Sequence, residues 1–194
     1  MFKSDKIVRV FIDTEFTSFM NCDLISIGMK AETGEEFYGE NTDHNQGWAS
    51  AWVKQHVYPL LNYEKYGMKY STLSARVMAW IDDLPCKSVI IMVDYQTDYE
   101  LLYCLFQDEP HDKVQGVENI YHNISSAAQG QMSLMTWSDS DYDGIVATAK
   151  EIFNDAFDEY FFTTKEIQHH ALSDAKANAF AYAKLASKWQ TLPH

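Results

Sequence analysis

The sequence predicts an α/β fold: a mixed five-stranded sheet with helices on both faces. Three observations predict it. Three apolar segments near the N-terminus follow one another through short connections, the pattern of an antiparallel meander. A continuous apolar run, Ser88-Val89-Ile90-Ile91-Met92-Val93, marks a strand buried on both faces. The remaining stretches carry apolar residues at helical spacing, the strongest being the alanine-rich Ala171–Trp189. The order βββ, helices, β, α, β, α covers both sides of the sheet. At 194 residues the chain is expected to be one domain, 1–194, large enough for a full hydrophobic core.

The first strand is the apolar run Ile7 to Ile12, which ends in Asp13-Thr14-Glu15-Phe16. Asn21 and Asp23 make a turn, Leu24 to Ala31 a second strand, Glu32-Thr33-Gly34-Glu35 a tight turn and Glu36 to Glu40 a third strand. Gln46 to Tyr58 places Trp48, Trp52, Val53 and Val57 at helical spacing, and Pro59 follows. Ser71 is positioned to cap a helix with Leu73, Val77, Ile81 and Leu84 on one stripe before Pro85. The buried strand feeds a helix beginning near Thr97, with Leu101, Leu102 and Leu105 inside. Val117 to Ile124 is a short fifth strand, and the polar residues Ser125 to Ser140 form a loop. Ile145 to Tyr160 is helical, with Ile145, Thr148, Ile152 and Ala156 along one face. The terminal helix aligns Leu172, Ala175, Ala179, Tyr182 and Ala186. There is no internal repeat, low-complexity tract or linker.

Composition excludes several classes. An apolar content of 46% with 14% aromatics excludes disorder. No run approaches the roughly 18 apolar residues of a membrane span, and the start Met-Phe-Lys-Ser-Asp-Lys lacks a secretory hydrophobic region, so no membrane partner is expected. Cys22, Cys86 and Cys104 are widely spaced without a CxxC pair, which reads as reduced thiols in a cytoplasmic protein with no structural zinc. The formal charge of −13 opposes non-specific binding of phosphate chains. Acidic residues gathered around cations nonetheless present positive charge to a phosphate.

Four segments carry candidate chemistry. Asp13 and Glu15 occupy alternate positions of one strand and project together from its end, beside Phe11. Like charges repel there and desolvation adds to the cost, which divalent cations offset; the plainer reading is a solvated acidic turn. Asp98 has Leu101, Leu102 and Leu105 as its helical neighbours and so turns toward the sheet, although an aspartate in a first helical turn is also favoured by the helix dipole. Asp94 ends the buried strand and reads as a hydrogen-bonding neighbour or helix cap, not a ligand. His169 precedes the terminal helix and Asp174 lies in its first turns; singly, a surface histidine and a dipole-stabilising aspartate account for them. Those plainer readings weaken when the four segments are taken together.

In order and spacing, Asp13-x-Glu15, Asp98 and His169-x-x-x-x-Asp174 resemble the three motifs of the DEDDh, DnaQ-like exonucleases, among them the proofreading subunit of bacterial DNA polymerase III and RNase T. Asp13-Thr14-Glu15-Phe16, Asp23-Leu24-Ile25-Ser26-Ile27-Gly28, Glu36-Phe37-Tyr38 and Trp52-Val53-Lys54-x-His56-Val57 look like the small bacterial 3′–5′ exoribonucleases of the mycobacterial type. The chain departs from that pattern at Asp94, where Asn or Ala is common, and over a longer segment at about 107–165. His170 adjoins His169; the spacing of five residues before Asp174 favours His169.

The resemblance implies a ribonuclease H-like domain acting as a metal-dependent 3′–5′ exonuclease on a single-stranded 3′ end. RNA is the expected substrate, nucleoside 5′-monophosphates the products and a homodimer the expected assembly. DNA is the alternative substrate; a catalytically silent nucleic-acid-binding module and an acidic interaction protein are the alternatives of other classes. An all-oxygen ligand set suits two Mg²⁺ or Mn²⁺ ions, ~3.5–4 Å apart, across the scissile phosphate. Asp13, Glu15, Asp98 and Asp174 are the expected ligands, Asp13 bridging both ions, and His169 is the expected general base. Thr14 and Phe16 are expected substrate contacts, Phe16 by stacking on the terminal base, with core packing as its alternative. Lys54, Lys69 and Arg76 fall in the least acidic stretch, with His56 and Lys65 and interleaved with Tyr63, Tyr66 and Tyr70. They are the candidate backbone contacts, the alternative being a solvated face. Asp139-Ser140-Asp141-Tyr142-Asp143-Gly144 copies the start of a calcium loop, but its twelfth position is Lys150, so Asp143 reads better as a helix cap.

Overall fold

The computed structural model describes residues 4–107, 109–121 and 139–189. Strand β1 (Ser4–Phe16) is the axis of the sheet. It pairs antiparallel with β2 (Leu24–Ala31) and parallel with β5 (Cys86–Val93). β3 (Glu36–Asn41) continues the meander beyond β2, and β6 (Val114–Asn119) runs parallel to β5. With β4 (Gly67–Met68) added at the edge, the strand order is β4-β3-β2-β1-β5-β6. The expected mixed sheet is present, with six strands among the described residues in place of five. The addition, β4 (Gly67–Met68), is two residues long, too short to leave a period in the sequence.

Strand alternation builds two cores. Val8, Val10 and Ile12 of β1 pack with Leu73, Val77 and Ile81 of α3 (Tyr70–Asp83) and with Leu101, Leu102 and Leu105 of α4 (Gln96–Leu105). Phe11 points the other way with Met92. They meet Ala149, Phe153 and Ala156 of α5 (Asp139–Thr164) and Ala181 and Leu185 of α6 (Ala171–Trp189). Helices therefore cover both faces, as the period-two pattern of β1 requires.

Local hydrogen bonding shifts several expected boundaries. The helix expected over Gln46 to Tyr58 is broken into a 3₁₀ turn (Gln46–Trp48), α1 (Ala51–His56) and a second 3₁₀ turn (Tyr58–Leu60). The break falls where Ser50 accepts the Val53 N–H at 3.1 Å and starts a new helix. A short α2 (Tyr63–Tyr66) follows. Ser71 is not the cap of α3: that helix starts at Tyr70, whose N–H is taken by the distant Asp43 carboxylate at 3.0 Å. Nor is Asp94 the cap of α4, whose cap position is Tyr95. β6 begins at Val114 rather than Val117. α5 begins at Asp139, so Asp143 lies inside the helix, and the span 139–150 is helical where a calcium loop would need to turn. Most of the loop expected over Ser125 to Ser140, residues 125–138, lies outside the described residues. No helix among the described residues is long and apolar enough to cross a membrane.

Candidate active site

The site forms where β1 and β5, running parallel, end together. Asp13 and Glu15 leave β1 on the same face as Phe11, toward α6. α6 comes close enough to meet them because its first turn rests on the bare backbone of β2 at Gly28, the register partner of Asp13. Asp98 arrives from the other side. It stands in the first turn of α4 with 2% of its surface exposed, and its Oδ1 accepts both the N–H (3.0 Å) and the hydroxyl (2.6 Å) of Thr14. Thr14, expected as a substrate contact, is itself buried, and its hydroxyl is committed to Asp98.

These elements enclose a cleft of about 590 Å³ lined by Asp13, Glu15, Asp94, Asp98, His169 and Asp174, with Trp52, Phe16, Phe19 and Tyr95 at its walls. One carboxylate oxygen from each of Asp13, Asp94 and Asp98 lies within 4.8 Å of the others, and the same limit holds for Glu15, His169 and Asp174. No lysine or arginine is among the described residues lining the cleft. Five carboxylates without a cationic side chain are an expensive arrangement.

The electrostatics register that cost. Burial, then Asp98, Asp174, Glu15 and Asp94, raises the Asp13 carboxyl well above its ordinary value. Burial, then Asp174 and Asp98, pushes Glu15 up to about 8. Asp98 and Asp174 each reach about 7, again through burial; Asp94 adds to both, while the Thr14 hydrogen bonds and the His169 N–H respectively oppose the rise. The oxygens Asp94 Oδ1 and Asp174 Oδ1 are buried with no hydrogen-bond partner. Bound divalent cations would answer both the mutual repulsion and the orphaned oxygens, and an all-carboxylate oxygen set fits Mg²⁺ or Mn²⁺.

The two histidines face different ways. His169 holds the left-handed conformation (φ 65°), and its N–H donates to Asp174 Oδ2 at 3.0 Å. Its ring meets the Trp52 indole edge to face, with centroids 4.8 Å apart, and Trp52 stacks in turn on His56 at 4.8 Å. Burial, with His56 second, holds the His169 imidazole below its ordinary value, so it is neutral and able to accept a proton near pH 7. His170 instead stacks on Tyr38 of β3 at 4.3 Å.

Phe16 is half-buried, lines the cleft and packs partly against the main core, the packing its alternative reading expected. Lys54, Lys69 and Arg76 are exposed and none of them lines the cleft; Arg76 sits on α3, across the sheet from α6. Sequence reasoning missed Phe19 and Tyr95, 72% and 59% exposed, which carry an aromatic series from Phe16 along the cleft wall at centroid spacings of 5.1 and 6.1 Å. It also set Asp94 aside, although the alternation Ile90, Met92, Asp94 places it on the face of Phe11 and Asp13.

A family model described as the 3′-5′ exoribonuclease Rv2179c-like domain matches residues 8–186. Two curated proteins of Mycobacterium tuberculosis, the 3′-5′ exoribonuclease MT2234.1 (strain CDC 1551 / Oshkosh) and the 3′-5′ exoribonuclease Rv2179c (strain ATCC 25618 / H37Rv), are each 44% identical to the chain over 55 residues. That stretch is 28% of this chain and 33% of each relative, so the match spans about a third of the relatives' length.

Proposed function

The chain belongs to the Rv2179c-like 3′–5′ exoribonuclease family, and from that membership we propose that it is a metal-dependent enzyme shortening RNA from a single-stranded 3′ end. One juxtaposition carries the reading. The His169 imidazole lies within 4.8 Å of the Glu15 and Asp174 carboxylates, beside the Asp13, Asp94 and Asp98 group. Asp13, Glu15, Asp98 and Asp174 would hold two Mg²⁺ or Mn²⁺ ions. When bound, such ions neutralise the charge of the scissile phosphate and make water a stronger nucleophile.

The chain's own side chains do the rest. His169 takes the proton of the attacking water at a ring nitrogen. As the water oxygen bonds to phosphorus, the bond from phosphorus to the 3′-oxygen of the preceding nucleotide breaks. The last nucleotide leaves as a 5′-monophosphate, and the 3′-oxygen of the shortened chain takes up a proton from solvent to become its 3′-hydroxyl. Asp174 fixes the main chain of the base through the His169 N–H, and Thr14 orients Asp98. Phe16 and Phe19 offer ring faces to the terminal bases, and stacking tolerates any base.

A time course with 5′-labelled single-stranded RNA and matched DNA, in Mn²⁺, Mg²⁺ or EDTA, tests this. The expected result is a 3′-to-5′ ladder on RNA that EDTA abolishes, with mononucleotide 5′-phosphates as the small product. An equal ladder on DNA would make the enzyme a general exonuclease. Binding of the labelled strands without cleavage would make it a silent binding module.

A further inference from the structure

We infer that Asp94 is a fifth carboxylate of the metal site, facing the same cation as Asp13 and Asp98. The inference rests on the metal-dependent reading above. Strand parity places the residue. Phe11 and Met92 are register partners across β1 and β5 and share one core. Asp13 and Asp94 each follow by two positions, so both leave the sheet on that face. The main chain is fixed there: Asn119, at the end of β6, donates its Nδ2 to the Asp94 carbonyl at 3.0 Å. Asp94 is thus held at the strand end with its side chain projecting into the cleft.

What the side chain does there follows from what it lacks. It does not cap α4, whose cap position is Tyr95. Its Oδ1 is buried without a hydrogen-bond partner, while a ligand oxygen of the same carboxylate lies within 4.8 Å of those of Asp13 and Asp98. Its neighbour Asn178 of α6 is 1% exposed, with neither side-chain amide atom in a formed hydrogen bond. That amide lies beside the Asp94 carboxylate. A buried carboxylate oxygen turned toward two others is stabilised by a cation between them. Asp94 so adds one negative charge to the group that meets the ion.

The test is Mn²⁺ titration of the full chain by calorimetry, without RNA, for the wild type, Asp94→Asn and Asp94→Ser, with circular dichroism as the check on folding. Both variants are expected to bind Mn²⁺ at least ~10-fold more weakly at one class of site, and to show a smaller Mn²⁺-induced rise in Tm. Wild-type-like isotherms in either folded variant, with the wild type binding Mn²⁺, would overturn the inference alone. A wild type that takes up no Mn²⁺ would overturn the metal-dependent reading beneath it.

Discussion

A β-carbon on Gly28 would stand 2.2 Å from the main-chain nitrogen of Leu172. The first turn of α6 therefore lies directly on the backbone of β2. In the sheet, Gly28 is the register partner of Asp13 on one side and of Tyr38 on the other. The same close approach lets Asp174 join Glu15 and His170 stack on Tyr38. One missing side chain sets the position of the helix that carries Asp174, one of the site's five acidic groups, toward the sheet.

Gly28→Ala should therefore damage both stability and site. The clash is with main-chain atoms at 2.2–2.3 Å, which no rotamer change relieves. The expected cost is about 3 kcal/mol, a fall in Tm on the order of 10 °C. Nuclease activity and Mn²⁺ uptake should fall well beyond the loss of folded protein, because α6 must lift. Thermal melts beside calorimetric Mn²⁺ titration at 15 °C would check it. A variant with wild-type Tm would mean that the sheet–helix contact relaxes freely.

What the sequence could show depended on how far each signal was local. β1, β2, β3 and β5 were legible as apolar runs bounded by turns or helical stretches, and α6 because it keeps a period of 3.6; the pairing of Asp13 with Glu15 followed from strand alternation. The interruption at Ser50 was not, because a serine cap overrides the apolar spacing of Trp48, Trp52 and Val53. The α3 start was hidden because its N–H partner is Asp43, 27 residues earlier. Asp94 was visible by parity but was assigned to the following helix by position. Phe19 and Tyr95 sit outside regular elements, where no periodicity points at a cleft. Charges such as Lys54, Lys69 and Arg76 carry no record of which side of the fold they occupy.

Thr14→Val keeps the backbone N–H on Asp98 and removes the 2.6 Å hydroxyl bond. A buried carboxylate then loses one of its two donors from Thr14. Loss of such a charge-assisted bond costs about 1.5–3 kcal/mol, and loosening of the carboxylate should lower activity roughly 10-fold. Val is close in shape, so the effect isolates the hydroxyl; Thr14→Ser should restore most of the activity. Initial rates on labelled RNA at saturating Mn²⁺ are the measurement. Equal rates for Thr14→Val and wild type would show that the Asp98 position is secured without the hydroxyl.

His169→Ala and His170→Ala separate two adjacent histidines by what each ring touches. Removing the ring near Glu15 and Asp174 should lower kcat by about 10²–10⁴-fold, the range for a lost general base. Mn²⁺ affinity should stay close to wild type, whereas a large loss of Mn²⁺ binding would make His169 a ligand instead. Removing the ring stacked on Tyr38 should cost about 0.5–1.5 kcal/mol of stability and less than ~10-fold in kcat. The reverse ranking of the two rates would move the base by one residue.

The acidic cluster makes the metal-free protein less stable as pH rises. Glu15 sits at about 8 in the fold, and Asp98 and Asp174 at about 7, against ordinary values of 4.5 and 3.8. A carboxyl whose folded value is raised contributes stability that is fully present below its unfolded value and is lost as pH climbs through the folded one. The loss therefore runs from about pH 4 to pH 8. Lowered His169 and His170 act in the opposite direction, but they are two groups against five raised acids, Asp13 and Asp94 included. In EDTA, Tm should fall by roughly 5 °C or more between pH 5 and pH 8. Saturating Mn²⁺ should remove most of that slope, since the ions bind the ionised carboxylates and oppose their mutual repulsion. Scanning fluorimetry across the range, with and without Mn²⁺, measures both slopes. Parallel curves in EDTA and Mn²⁺ would mean that the ions do not engage the cluster, because the penalty for ionising these buried groups would then stand unrelieved.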